Sequence, residues 1–108
     1  MRYKNTKMKE TILCLKKGPR TKKYTAIIKN KITKKTRILH FGHKDYQQFK
    51  DRSTNKLYSK GDHGDKRRQQ NYYNRHSGIK SRKKAIKKEV DKSKGYYTPK
   101  ILSHKLLW

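Results

Sequence analysis

The chain reads as an α+β domain, a small three-stranded antiparallel sheet followed by about three short helices. Three observations carry that expectation. Up to residue 41 the apolar residues come in short β-branched and aromatic runs, one of which alternates between two faces. Beyond residue 60 they recur at helical spacing, behind residues of the type that cap helices. Glycines stand at the edges of these segments, where chains turn or helices stop.

The first residues, 1–9, are basic and weakly patterned and read as a mobile arm. Residues 11–15 (TILCL) are a candidate first strand, closed by Gly18 and Pro19. Residues 24–28 (YTAII) and 36–41 (TRILHF) are the next two strands, and the polar stretch 30–35 is long enough for a hairpin loop between them. In the third strand Thr36, Ile38 and His40 share one face, with Arg37, Leu39 and Phe41 on the other. The run DHGD, residues 62–65, caps a helix over 66–76 that Gly78 stops. Ser81 opens a second helix over 82–90, where Ile86 and Val90 lie four apart, and Gly95 ends it. Thr98 caps a last helix, with Pro99 at its first position and Leu102 and Leu106 on one stripe that Ile101, Leu107 and Trp108 widen. The helices should cover one face of the sheet. By composition the chain divides into a basic arm, residues 1–22, that holds the candidate strand, and a single compact basic domain, residues 23–108.

Charge is the dominant property. Lys and Arg number 33 against 7 Asp and Glu, a formal charge of +26 over 108 residues. Such a chain repels itself until salt or a polyanion screens it. Leu, Ile, Val and Phe together fall below the fifth or so of residues that usually supports a core, and eight Tyr and one Trp make up part of the deficit. Cys14 is the only cysteine, so an intramolecular disulfide framework is excluded. The run of residues 12–15 is too short for a signal peptide or a membrane span, and the basic residues do not back an apolar helix face, which argues against a membrane partner. Nucleic acid is the partner that fits.

The segment KRRQQNYYNRH, residues 66–76, is the first candidate interface. Lys66, Arg67, Arg68 and Arg75 would meet phosphate, and of Tyr72 and Tyr73 one is expected in the core, with Tyr73 assigned to stacking on bases. Lys80, Arg82, Lys83, Lys84, Lys87 and Lys88 form a second field that would contact the backbone without reading sequence. A solvated charged face is the plainer reading of such a run, but the chain-wide cation excess makes it less adequate.

HFGH, residues 40–43, poses a different question. His40, His43, His63 and His76 are metal-ligand candidates in the outline of a metal-dependent nuclease, with a histidine as general base beside a divalent cation. The simpler reading has Gly42 turning the chain after Phe41, His40 packing at the sheet edge and His43 solvated. That reading is adopted: no catalytic residue, no metal and no cofactor. In DHGD, a magnesium site and a phosphate-clamping GxxG loop compete with helix capping, which needs only local geometry. The ending KILSHKLLW is core or a subunit contact.

KYTAII, HFGHKDYQQF, DHGDKRRQQNYYNRH and YYTPKILSHKLLW together resemble a family of small basic proteins of nucleocytoplasmic large DNA viruses. Its members show an HFG block, a D-x-x-R-x-x-x-Y-x-x-RH block and a closing leucine-tryptophan helix. The likeness spans residues 23–108 and falls on His40, Phe41, Gly42, Asp62, His63, Arg68, Tyr72, Arg75, His76, Leu107 and Trp108. It implies a protein of the virion core or the viral factory and assigns no roles to these residues. The expected function is non-enzymatic, sequence-independent binding of double-stranded DNA that neutralises and compacts a viral genome. The alternatives are a structural RNA-binding protein of ribosomal type and the nuclease above. A homo-oligomer formed through the last helix is compatible with each.

Overall fold

The computed structural model describes residues 7–108. Its elements are strands β1 (Glu10–Lys17), β2 (Lys22–Asn30) and β3 (Thr36–His43), a 3-10 turn at Ser59–Gly61, and helices α1 (Lys66–Ser77), α2 (Arg82–Lys92) and α3 (Pro99–Leu106). The strands form one antiparallel sheet in the order β1-β2-β3. The α+β expectation therefore holds, with the sheet first and the helices after it. The molecule is a slab of 38 × 37 × 20 Å, about the thickness of one sheet and one layer of helices.

Period-two patterning decides which sheet face is covered. Tyr24, Ala26 and Ile28 of β2 are fully buried, as is Phe41 of β3, and they pack against Leu102 of α3 and Leu107 beyond it. Tyr24 and Phe41, paired across the strands, stack with centroids 5.7 Å apart. The opposite face carries the pair Ile27 and Ile38, with Ile38 58% exposed. A second cluster holds Tyr72, Tyr73 and Ala85, and Trp108 packs against both clusters and so joins them.

The strand expected within the basic arm is a full member of the sheet, longer than the TILCL run and bulged between Ile12 and Cys14. The arm reads as mobile over residues 1–9, but Lys9 is fixed. Its N–H donates to the Gly95 carbonyl at 2.8 Å and its carbonyl accepts from the Lys31 N–H at 2.9 Å. Residues 1–6 lie outside the described residues. Buried Glu10 then ties three segments together. Arg37 of β3 donates to it through Nε at 2.7 Å and Nη2 at 2.8 Å, and the Tyr97 N–H adds a bond of 2.7 Å. The hydrogen bond from Arg37 holds the carboxyl below its ordinary pKa.

Residues 44–65 form a long connection whose only regular piece is the 3-10 turn. Connections of this length are uncommon without a function or an anchor. Here the anchor is polar. Asp51, 1% exposed, accepts from the Tyr24 hydroxyl at 2.5 Å, the Ser53 hydroxyl at 2.6 Å and the amides of Ser53 and Tyr58. Burial alone would raise the Asp51 pKa, and the bonds from Ser53 and Tyr24 outweigh it, so the carboxylate stays ionised below its ordinary range. Gln48 donates to Asp62 Oδ1 and to the Tyr58 carbonyl, each at 2.6 Å, and accepts from the buried Lys23 ammonium.

Gly42 does more than end a strand. β3 continues through it to His43, with φ at +76°. A Cβ at this position would lie 2.9 Å from Leu107 Cδ1 and 3.1 Å from Lys23 Cβ, so glycine is required both by conformation and by the approach of the chain end.

Candidate nucleic-acid interface

Local chemistry positions α1 as the sequence suggests. Asp65 Oδ1 accepts from the Arg67 N–H at 2.9 Å and the Arg68 N–H at 3.2 Å, and Gly78, at φ +68°, closes the helix. Of the two aspartates in DHGD only Asp65 caps; Asp62 turns inward to Gln48 and the Asp51 amide. Lys66, Arg67, Arg68 and Arg75 are exposed, and so are Lys80, Lys83, Lys84 and Lys87. On α2 the last three stand away from the buried face of Ala85 and Glu89.

One expected contact residue, Tyr73, is corrected, and two others, Arg82 and Lys88, also bond within the fold. Tyr73 is 0% exposed and donates its hydroxyl to the His104 carbonyl at 2.7 Å, while burial pushes its pKa up to about 12. It cannot stack on a base, and both tyrosines of the pair are core residues. Arg82 is drawn inward, its Nη2 donating to the Lys105 carbonyl at 3.0 Å. Lys88 donates to the Ser77 carbonyl at 2.6 Å. These two half-exposed cations satisfy the carbonyl ends of α3 and α1, where the helix dipole favours positive charge.

The four candidate histidines diverge. His40 Nδ1 is 2.8 Å from Thr25 Oγ1; His43 packs on Tyr46; His63 lies between Phe49 and Trp108; His76 leans on Tyr72. Among the described residues, no three His, Cys, Asp or Glu side chains come together to hold a metal ion. The histidine with the most structural work is His104, which the sequence did not single out. It is 0% exposed, and burial lowers its pKa to about 4, so it is neutral. Tyr72 Oη lies 2.9 Å from its Nδ1, and Ser77 Oγ lies 2.9 Å from its Nε2 and 2.8 Å from Glu89 Oε2. The one arrangement that satisfies every partner has Tyr72 donating to Nδ1, Nε2–H donating to Ser77, and Ser77 donating to the Glu89 carboxylate. The acid accepts from the serine rather than orienting the histidine, so this sealed chain is a structural relay and not a nucleophilic triad.

Most of the acids are held by the chain's own donors. Glu10, Asp51, Asp62 and Glu89 accept hydrogen bonds in buried or half-buried positions, and Asp65 accepts them as an exposed helix cap, while Asp45 is exposed. Most of the cations stay outside, the buried Lys23 excepted. The outer faces of α1 and α2, the 31–35 hairpin and the end of β1 at Lys16 and Lys17 present Lys and Arg with little carboxylate among them.

Between α1, the end of β3 and α3 lies a groove of 910 Å³. The sheet contributes Lys22, Phe41 and His43, the loop Asp45 and Tyr46, α1 Arg68 and Arg75, and the chain end Lys100 and Trp108. Arg68 Nη1 donates to Gln47 Oε1 at 2.9 Å, bridging helix and loop. Tyr72 and Trp108 stack nearly parallel in its wall, centroids 4.3 Å apart at 3°. Sequence reasoning missed Lys22, Tyr46 and Lys100 because nothing local marks them; only the fold brings them to Arg68 and Arg75. The HFG block, the Y-x-x-RH block and the leucine-tryptophan end, far apart in the chain, all border this groove.

No protein family, curated protein or solved structure matches this chain. No helix among the described residues is long and apolar enough to cross a membrane.

Proposed function

We propose that the chain is a sequence-independent DNA-binding protein that neutralises and compacts a viral genome, acting in the virion core and the viral factory by binding and not by chemistry. The observation that carries this reading is the segregation of charge. Five of the seven acids accept hydrogen bonds from the chain's own donors, so the exposed Lys and Arg of a small slab with a net charge of +26 meet little competing carboxylate. Lys66, Arg67, Arg68 and Arg75 of α1, Lys80 between the helices, and Lys83, Lys84 and Lys87 of α2 are exposed and able to meet phosphates. Lysines at such positions attract the backbone and carry no base information, which suits a protein that must coat any sequence. The viral setting follows from the resemblance drawn on the sequence blocks.

Gel retardation of unrelated duplexes across a salt series tests it. With about eight phosphates contacted, affinity falls by more than about a thousandfold between 50 and 200 mM salt, equally for each sequence. Long DNA should aggregate near charge neutrality. Free duplex at low salt, sequence preference, or a strong preference for folded RNA in competition would end the reading.

A further inference from the structure

The groove between α1, β3 and α3 shares Arg68 and Arg75 with the proposed duplex contact set. Coating a duplex has no use for its Tyr46, Lys22 and Lys100, since Lys66, Arg67 and the lysines of α2 already offer cations to the backbone. It has three properties of its own. At 910 Å³ it lies at the upper end of the roughly 300–1,000 Å³ range of sites that enclose small molecules. Its lining sets Lys22, Arg68, Arg75 and Lys100 against one acid, Asp45. Its loop side carries Tyr46, 71% exposed, on a backbone that is firmly held. The Tyr46 carbonyl accepts from the Lys23 ammonium at 2.5 Å, and its N–H donates to the His43 carbonyl at 3.2 Å.

Lys23 makes that exposure informative. It is 2% exposed, and desolvation lowers its pKa, so a buried cation fixes the loop that displays this ring. His43 packs on the ring at 4.6 Å, and an aromatic so exposed keeps a face for stacking. An exposed ring beside convergent arginines is the pairing that single-stranded nucleic acid uses, base on the ring and phosphate on the cations.

We propose that this groove takes one unpaired nucleotide of a DNA strand, at an end, a gap or a flipped-out position. The base stacks on Tyr46, and the flanking phosphates lie among Lys22, Arg68, Arg75 and Lys100. This deepens the DNA-binding reading and rests on it. It adds a preference for strand discontinuities to a protein that otherwise coats duplex without distinction.

Trp108, the sole tryptophan, lines the groove, so its emission reports occupancy in the full chain. Titration with a thymidine hexanucleotide should change that emission saturably. Tyr46→Ala should weaken hexanucleotide binding by roughly 5- to 100-fold, the range for losing one base stack, and Tyr46→Phe should keep it. Retardation of a blunt duplex by Tyr46→Ala should be unchanged, because Tyr46 stands outside the lysine fields that hold the backbone. Equal hexanucleotide affinity in wild type and Tyr46→Ala overturns the proposal. So does inorganic tripolyphosphate binding as tightly as the hexanucleotide, since a site for phosphate alone has no use for the ring. Hexanucleotide binding that depends on Tyr46, without retardation of duplex, would sink the compaction reading and leave this one standing.

Discussion

Replacing Asp51 with alanine would leave the Tyr24 hydroxyl, the Ser53 hydroxyl and the amides of Ser53 and Tyr58 without their acceptor. Those of Tyr24 and Ser53 are buried, so the substitution should cost about 3 kcal/mol, read as a shift of the urea midpoint. His104 sets a different test. In the fold its pKa is depressed to about 4, whereas the unfolded chain takes up the proton near 6.5. The stabilisation is complete above pH 6.5 and is lost as pH falls through 4, about 3 kcal/mol in all. Melting followed over that window should show the loss, and His104→Gln, already weaker at neutral pH, should show less of it. Neither residue could be ranked from sequence. Asp51 sits in a polar stretch with its Tyr24 partner 27 positions back in β2, and the partners of His104, Tyr72 and Ser77, lie on another helix.

The helices were the most legible part of the chain because their signals are local. Asp65, Ser81 and Thr98 each accept hydrogen bonds from the first turn of the helix they open. Asp65→Ala should destabilise by about 1 kcal/mol, measurable by thermal melting, and should leave the outer cations in place. The strands were legible from alternation, though β3 extends past Phe41 to His43, which pairs with Lys22, and the glycine between Phe41 and His43 carries no side chain to show it. Residues 44–65 were not legible, since polar side chains with distant partners leave no period to read. The same limit explains Tyr73. Helical spacing put Tyr72 and Tyr73 near the core boundary but could not show that α3 would cover both. It also explains Arg82 and Lys88, whose partners are carbonyls at the ends of other helices.

For the molecule as a unit, the exterior charge was fully legible and its arrangement was not. Composition alone gives +26; the inward engagement of the acids emerges only from the fold. A triple change of Lys83, Lys84 and Lys87 to Gln should reduce the slope of log affinity against log salt by roughly three units. All three are exposed, so the melting temperature without DNA should hold or rise as self-repulsion eases. The KILSHKLLW ending is core: Ile101, Leu102, His104 and Leu107 are buried within their own chain.

The scarcity of exposed acids carries one more consequence. A typical protein surface mixes both signs, so neighbouring copies can find each other by matching patches. This slab sets few exposed carboxylates, Asp45 and Asp65 among them, against many exposed Lys and Arg, and two of them in dilute salt push apart. On the proposed DNA-binding reading, crowding requires a strand of opposite sign to thread between them and halts once that strand is matched, so the strand and not the protein sets how many copies gather.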